Sequence, residues 1–455
     1  MNVNESDALG VNRRDFLKSG SFATLMTMLG GVELLAQTNS PPTGETTIVL
    51  PKIKIGVIGL GAWGRELLNV LGRLQQADIA GICDTYAPFL RRNSSAAPGA
   101  TPTDDYKKIL DNKDIKAVII ATPTHKHKDI VLAALAAGKH VYCEAPLANT
   151  VEDARAIALA ARDAKKQIFQ SGLQMRADPQ RHFLLPFIRS GALGKAFMAR
   201  AQWHKKMSWR TASSNPEQEK ALNWRLSKET SLGLIGEIGI HQIDQAGWFL
   251  NTHPISITGY GSIVRWKDDG RDVADTIQAM IEFPSEVRMA YDCTLANSFD
   301  AEYEIYYGTD AAVMMRENKA WMFKEVDSPL LGWEVYARKD AFYRETGISL
   351  KAGGSKQTAL DDKIASDVPL ESTPIYNALQ NFLRNANDLT AAAEDFTSSY
   401  GDDPAGLIEH LAKVGRQPAA SALEGFQATV TAIKANEAIV SGKKLAFQRE
   451  WYELS

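Results

Sequence analysis

Cysteine is scarce in this chain: three occur among 455 residues, at Cys83, Cys143 and Cys293. An odd number without metal-like spacing excludes both a disulfide framework and a cysteine-based metal site. Two of the three close apolar runs and the third lies in a strand-like run, so each reads as a small buried hydrophobe. Basic runs and basic-aromatic alternation are also missing, and with a net charge of −3 nothing in the chain suits a nucleic acid. No apolar run is long and clean enough for a membrane span, since the best candidate, Phe22 to Ala36, is interrupted by Thr24, Thr27, Gly30 and Gly31. Internal repeats and low-complexity tracts are absent. The length leaves room for two domains or more, each with its own core.

What the chain does contain is organised around Lys52 to Gly64, KIKIGVIGLGAWG. Ile53, Ile55, Val57 and Ile58 form the β-branched run of a strand buried on both faces. Gly59, Gly61 and Gly64 fit G-x-G-x-x-G, and Leu67, Val70, Leu71 and Leu74 follow on one helical face. A sharp turn, a close approach of backbone to pyrophosphate and tight helix–strand packing each call for glycine there. The helix N-terminus then faces the phosphates with unpaired N–H groups. A second apolar run, Ile79 to Cys83, ends at Asp84, twenty residues past Gly64, where a carboxylate can accept hydrogen bonds from a ribose. That acid favours NAD over NADP; Arg91 and Arg92 leave NADP open, although they read as a solvated helix face.

The alternation continues with strands at Ala117 to Ala121, His140 to Cys143 and Ile168-Phe169, and helices at Ile130 to Ala137 and Val151 to Ala164. This predicts a doubly wound parallel sheet over 51–173. Ligands on such sheets lie beyond the carboxyl ends of the strands, where Thr122-Pro123-Thr124-His125-Lys126-His127 and Glu144-Ala145-Pro146 also fall. Candidate cofactor contacts are therefore Gly59, Gly61, Ala62, Trp63, Gly64, Asp84, Thr122, Pro123, His125, His127, Glu144 and Pro146. No further ligands converge on the two histidines, which argues against a metal.

After Leu173 the pattern changes. A helix over Ala177 to Ser190 leads into period-two alternation at Phe197 to His204, Ile277 to Phe283, Val287 to Tyr291 and Tyr303 to Tyr307. The second domain, 174–455, is expected to be α+β, with an open, mostly antiparallel sheet. The stretch from about Lys324 to Ser372 reads as a long loop or insertion. Helices are expected near Pro374 to Thr390 and Ser421 to Ile439.

The N-terminus, Asn12-Arg13-Arg14-Asp15-Phe16-Leu17-Lys18 ahead of the weak apolar stretch, looks like a twin-arginine export signal over 1–36, with a linker over 37–50. Export would place the protein in the periplasm. That route carries proteins already folded around their cofactor, so the dinucleotide would have to be held. A span would remain only if the signal were retained; Leu34 makes cleavage near Ala36 imperfect.

Between the strands of the second domain lies GLIGEIGIHQID, Gly233 to Asp244. On one continuous helix, Glu237, His241, Asp244 and Trp248 share a stripe. A carboxylate four residues from an imidazole suits general acid/base work. Spacing alone favours a solvated face with an ordinary ion pair.

Taken in order, GLGAWG, Asp84, ATPTHKH, CEAP at Cys143 to Pro146, the Arg176 helix with its GALG exit, and EIGIHQID resemble the Gfo/Idh/MocA oxidoreductase family from Lys52 to the end. The resemblance implies a nucleotide-binding domain, a second domain whose open sheet mediates homo-oligomers, and NAD(P)-linked chemistry on sugars, cyclitols or polyols. It places the family's acid/base histidine on His241 and its partner carboxylate on Glu237, with Arg176, His204 and Asp244 as candidate substrate contacts. The family's Glu-Lys-Pro reads Glu144-Ala145-Pro146 here, so a lysine expected at nicotinamide and substrate is missing; Lys205, Lys206 and Arg176 are candidate replacements. Three functions stay open: an exported oxidoreductase, a redox-neutral glycosidase or lyase that oxidises a sugar transiently, and a nucleotide-holding protein without turnover.

Overall fold

The structure is a computed structural model that describes residues 51–317, 319–330, 339–342, 345–350 and 373–454. The proposed signal and linker, and most of the stretch read as an insertion, lie outside the described residues.

Six strands, β1 (Ile53–Ile58), β2 (Ala77–Cys83), β3 (Thr101–Thr103), β4 (Ala117–Ile120), β5 (His140–Cys143) and β6 (Phe169–Ser171), form a parallel sheet in the order β3-β2-β1-β4-β5-β6. The crossovers carry α1 (Ala62–Leu71), α2 (Ala87–Asn93), α3 (Tyr106–Asp111), α4 (His127–Ala136) and α5 (Val151–Asp163). Every residue of β4 is buried, because helices cover both faces and the strand can be apolar throughout. Strand order reverses between β1 and β4, which opens the crevice where such sheets take ligands. The edge strand β3 was not legible: Thr-Pro-Thr has no apolar alternation, and its proline is tolerated only at an edge.

Among the described residues the second sheet has ten strands: β7 (Ala196–His204), β8 (Ser256–Ser262), β9 (Thr276–Glu282), β10 (Arg288–Thr294), β11 (Glu302–Gly308), β12 (Ala311–Arg316), β13 (Lys319–Lys324), β14 (Lys339–Phe342), β15 (Glu345–Leu350) and β16 (Leu445–Ala446). All pairings are antiparallel except that of β7 with β10. The expected long loop is therefore partly sheet, since β14 and β15 extend one edge beside β13. Helices α6 (Pro179–Arg189), α7 (Pro216–Leu222), α8 (Gly233–Glu237) and α9 (Gly239–Leu250) follow in chain order, then α10 (Pro374–Tyr400), α11 (Pro404–Ala412) and α12 (Ala422–Ser441). One sheet face packs on helices: Ala199, Ala201, Ile281 and Met289 share a core with Leu184, Ile243 and Phe249. The other face is open, with Met198 and Met280 each 41% exposed.

A division at residue 173 separates the sheets but not the cores. Phe382, Leu383 and Leu389 of α10 are fully buried together with Leu67, Leu71 and Tyr142 of the first sheet and its α1. Helix α12 packs on α5 and β6 on one side and on β8, α8 and α9 on the other. It starts with a capping box, in which Ser421 Oγ accepts from Glu424 N and Glu424 Oε2 accepts from Ser421 N.

Candidate active site

The glycine turn is built as its spacing predicts. Gly59 has φ +95°, and a Cβ there would lie 2.6 Å from the Ala121 carbonyl; one at Gly64 would lie 2.0 Å from Gly59 O. A Cβ at Gly61 would meet only the Phe89 ring at 3.9 Å, so that position stays open for a ligand. No side chain caps α1, which leaves its first-turn N–H groups for an anion. Asp84 has a second task. Its Oδ2 accepts from Leu60 N and its Oδ1 from Tyr86 N, both at 2.7 Å, so it braces the turn. Each oxygen keeps a lone pair for a ribose hydroxyl.

His127 is buried, with Nδ1 3.0 Å from Pro146 O and Nε2 2.9 Å from Thr122 O. It staples the two strand-end loops together, and both of its ring nitrogens, expected at the cofactor, face backbone carbonyls instead. Burial lowers its pKa to about 4, against the facing carbonyls of Thr122 and Pro146, which favour the protonated ring. The Ala145–Pro146 bond is cis.

Glu144 is buried, and burial pushes its carboxyl up to about 7 against the Trp63 indole, the Tyr142 hydroxyl, the Ala145 N–H and Arg225. Trp63 thus reaches from the glycine turn to the end of β5. Thr122 and Pro123, which follow β4, are half-buried, and Ala62, which precedes Trp63, is exposed.

The stripe expected on one helix is broken. Ile238, with φ −121° and ψ −55°, ends α8 and precedes α9. Glu237 then turns to the first domain: its Oε2 accepts from Thr124 Oγ1 at 3.1 Å and its Oε1 from Leu232 N at 3.1 Å. It makes no hydrogen bond to His241, whose Nδ1 is buried without any partner. Burial alone lowers the His241 pKa to about 4, because a charged imidazole is disfavoured away from water. Burial raises the Glu237 carboxyl, against Arg225, Leu232 N–H and Thr124.

Two candidate substrate contacts are engaged with each other. Arg176 donates from Nε and Nη2 to Asp244 at 2.8 and 2.9 Å and from Nη1 to Glu424 at 2.5 Å, a triad that locks α9 to α12. His204 lies on the open face of the second sheet, its Nε2 2.5 Å from Asp292 Oδ2 and its Nδ1 3.1 Å from Phe299 O. The core-facing side of the same strand is Ala199 and Ala201, so His204 points to the opposite side of the sheet.

A cation outside the three candidates, Arg225, stands near Glu144 and Glu237. Lys205 and Lys206 are exposed and Arg176 is paired. Arg225 instead sits 4.7 Å from the Trp224 ring centroid and 5.7 Å from that of Trp209, with Trp224 6.1 Å from the His125 ring. Glu237 and Glu144 both act on its charge. Nothing periodic marks Asn223-Trp224-Arg225; the missing lysine at Ala145 left open that another cation substitutes for it or that the reaction is not a simple dehydrogenation.

Buried polar atoms without partners include Thr122 Oγ1, His125 Nδ1, Glu144 Oε1, Gln174 Oε1 and His241 Nδ1. The first four follow the carboxyl ends of β4, β5 and β6, and α9 packs on the turn Gln174–Ala177. Such orphans are costly unless a polar ligand satisfies them. With the open Gly61 and the braced Asp84, they fit a dinucleotide and a hydroxylated substrate. Among the described residues no cluster of side chains fits a metal ion.

Comparison with known proteins agrees. Residues 53–172 match the family model described as "Oxidoreductase family, NAD-binding Rossmann fold", and residues 186–313 match the "GFO/IDH/MocA C-terminal domain", together more than half of the chain. Levoglucosan dehydrogenase of Pseudarthrobacter phenanthrenivorans is 34% identical over 149 residues, 32% of this chain and 36% of that protein. Inositol 2-dehydrogenase of Salmonella typhimurium is 29% identical over 201 residues (44% and 55%), and a glycosyl hydrolase family 109 protein of Shewanella is 27% identical over 231 (44% and 50%). The chain thus spans between about a third and just over half the length of these curated relatives. In fold, a structure of levoglucosan dehydrogenase in complex with NADH aligns at TM-score 0.64 and 19% identity, covering 87% of this chain and 99% of that one. Myo-inositol 2-dehydrogenase from Lactobacillus plantarum aligns at 0.59 and 18% (87% and 100%).

Proposed function

The chain belongs to the Gfo/Idh/MocA oxidoreductase family, and from that premise we propose that it is an NAD-dependent oxidoreductase acting on a hydroxyl-bearing carbon of a sugar, cyclitol or related polyol. The observation that carries this reading is the half-buried His241 imidazole, whose Nδ1 is buried without a partner, on a helix that packs on the turn Gln174–Ala177 following β6. Bound in the crevice, NAD supplies the acceptor for the hydride that leaves the carbinol carbon. His241 takes the hydroxyl proton as the carbonyl forms, and returns it in the reverse direction. Gly61 and the uncapped start of α1 hold the phosphates, and Asp84 the ribose. Thr124 and Leu232 N–H fix Glu237. The charge of Arg225 opposes the upward push that burial gives that carboxyl.

Ala145 supports a second reading. An alanine holds no charge beside a developing alkoxide, so the oxidised sugar could be a transient that undergoes elimination and is reduced again, giving net glycoside cleavage; the glycosyl hydrolase relative points the same way. The folded protein, with its bound nucleotide identified, is offered a panel of polyols and aryl glycosides. Growth of reduced-nucleotide absorbance with a ketosugar product supports the dehydrogenase. Aglycone release without net reduction supports the glycosidase. Turnover undiminished in His241→Asn would remove the histidine from either mechanism.

Export by the twin-arginine route belongs to the same proposal, because a nucleotide carried outside the cytoplasm must be retained; loss of periplasmic location in Arg13→Lys/Arg14→Lys would be expected, and unchanged fractionation would refute it. Homo-oligomerisation through the open face of the second sheet, where Met198 and Met280 are exposed, is tested by sedimentation velocity.

A further inference from the structure

The chain between β7 and α8 is large for a connection within one domain, and it does not stay within that domain. Arg210 and Thr211, near its start, line a groove of about 580 Å³ directly outside the glycine turn, opposite Gly61, Ala62, Arg65 and Arg92. The segment is built to stay there. Thr211 N donates to Asn223 Oδ1 at 2.7 Å, and Asn223 Nδ2 donates back to Thr211 O at 2.9 Å, which closes the loop at its base. Arg210 pairs with Glu219 of α7, and Asn215 caps that helix by accepting from Glu217 N and Gln218 N. Arg271 donates to Ser208 O. Trp209 adopts φ +63°, a left-handed backbone that bulky residues rarely take and that clusters at ligand clamps. The Arg225 guanidinium over its ring helps to hold it so.

Charge on the groove is one-sided, with Arg65, Arg92 and Arg210 against Glu66 and the positive end of α1 beneath. We propose that this second-domain loop is the outer wall of the cofactor site, and that Arg210 contacts the diphosphate of the dinucleotide from the side opposite the glycine turn. The nucleotide is then gripped between two domains, and its release is governed by the loop. This inference rests on the dinucleotide reading of the crevice, but its test needs no substrate.

The test follows NADH fluorescence on the full-length protein, as equilibrium binding and as release rate in stopped flow. Arg210→Ala is expected to speed NADH release about tenfold or more, the scale of one charge-assisted hydrogen bond. It should also flatten the salt dependence of binding, whereas Arg210→Lys should recover part of both. Glu219→Gln separates contact from loop order, because it removes the partner of Arg210 yet leaves the guanidinium. Release unchanged or slower in Glu219→Gln supports the proposal. Release accelerated as much as in Arg210→Ala would mean that loop order alone matters, and overturns it. Wild-type NADH binding with identical release from Arg210→Ala overturns the clasp and leaves the cofactor reading intact; no NADH binding by the wild type sinks both.

Discussion

At the scale of single residues, Arg225 decides the charge of the crevice. Without it Glu237 would keep its burial and lose the cation that opposes it, so its pKa would climb further. Arg225→Met should therefore move the acidic limb of the pH–rate profile to higher pH with whichever polyol the panel identifies, while Arg225→Lys restores it. A profile that falls in height without moving would assign the arginine a packing role. His140 shows the opposite case, a buried histidine with no part in the chemistry. Its Nδ1 accepts from Ile168 N at 2.9 Å and its Nε2 meets Thr390 Oγ1 at 3.0 Å. A second proton would have to sit on Nδ1, head-on against the Ile168 N–H. Burial lowers its pKa from 6.5 to about 4. The folded state thus refuses a proton that the unfolded chain takes, so this contribution to stability is complete above pH 6.5 and is lost as pH falls towards about 4. The loss approaches about 3 kcal/mol. His140→Asn, which can still accept from Ile168, should show a shallower fall of the urea midpoint across that window than the wild type; an equal slope would refute the assignment.

Among the elements, the pair α8 and α9 carries most of the lesson about legibility. Period 3.6 puts Glu237 and His241 on one stripe, but period says nothing of a break. The signal for one was present in the glycines at 233, 236 and 239. Gly233 has φ +62°, and a Cβ at Gly239 would lie 3.0 Å from the Tyr291 ring and 3.2 Å from Ile235 Cδ1. Close packing on β10 therefore fixes where α9 begins and hence where His241 points. Gly239→Ala should destabilise the fold by about 1–3 kcal/mol through overpacking and displace His241, read as a lower urea midpoint together with reduced turnover. A variant with wild-type stability would show that Tyr291 yields freely. Strong alternations such as β7 and β9 were legible because one face is buried and the other open. The strands β8 and β12 were not, since glycines or residues buried on both sides erase the period, and β13 alternates in burial without alternating in polarity. Asp84 was legible as an acid at the right place, but its bracing of Leu60 and Tyr86 is a property of three dimensions.

The molecule as a whole is less modular than its two sheets suggest. Since α10 completes the core around Leu67, Leu71 and Tyr142, residues 51–173 expressed alone would expose that surface, and removing even one large aromatic such as Phe382 from such a core costs about 3–5 kcal/mol. The fragment is expected to lack a cooperative thermal transition and to bind a hydrophobic dye; a sharp melt would contradict this. The engagement of α12 with both halves has a wider reach. A helix fastened at once to the nucleotide sheet and to the element bearing His241 works as a shared axle, so neither half can be re-aimed without the other. Chimeras that exchange the nucleotide half between relatives should keep their alignment only when both ends of the chain come from the same parent. Inheritance of new specificity is thereby steered towards the loops around the crevice and away from the mutual orientation of the halves.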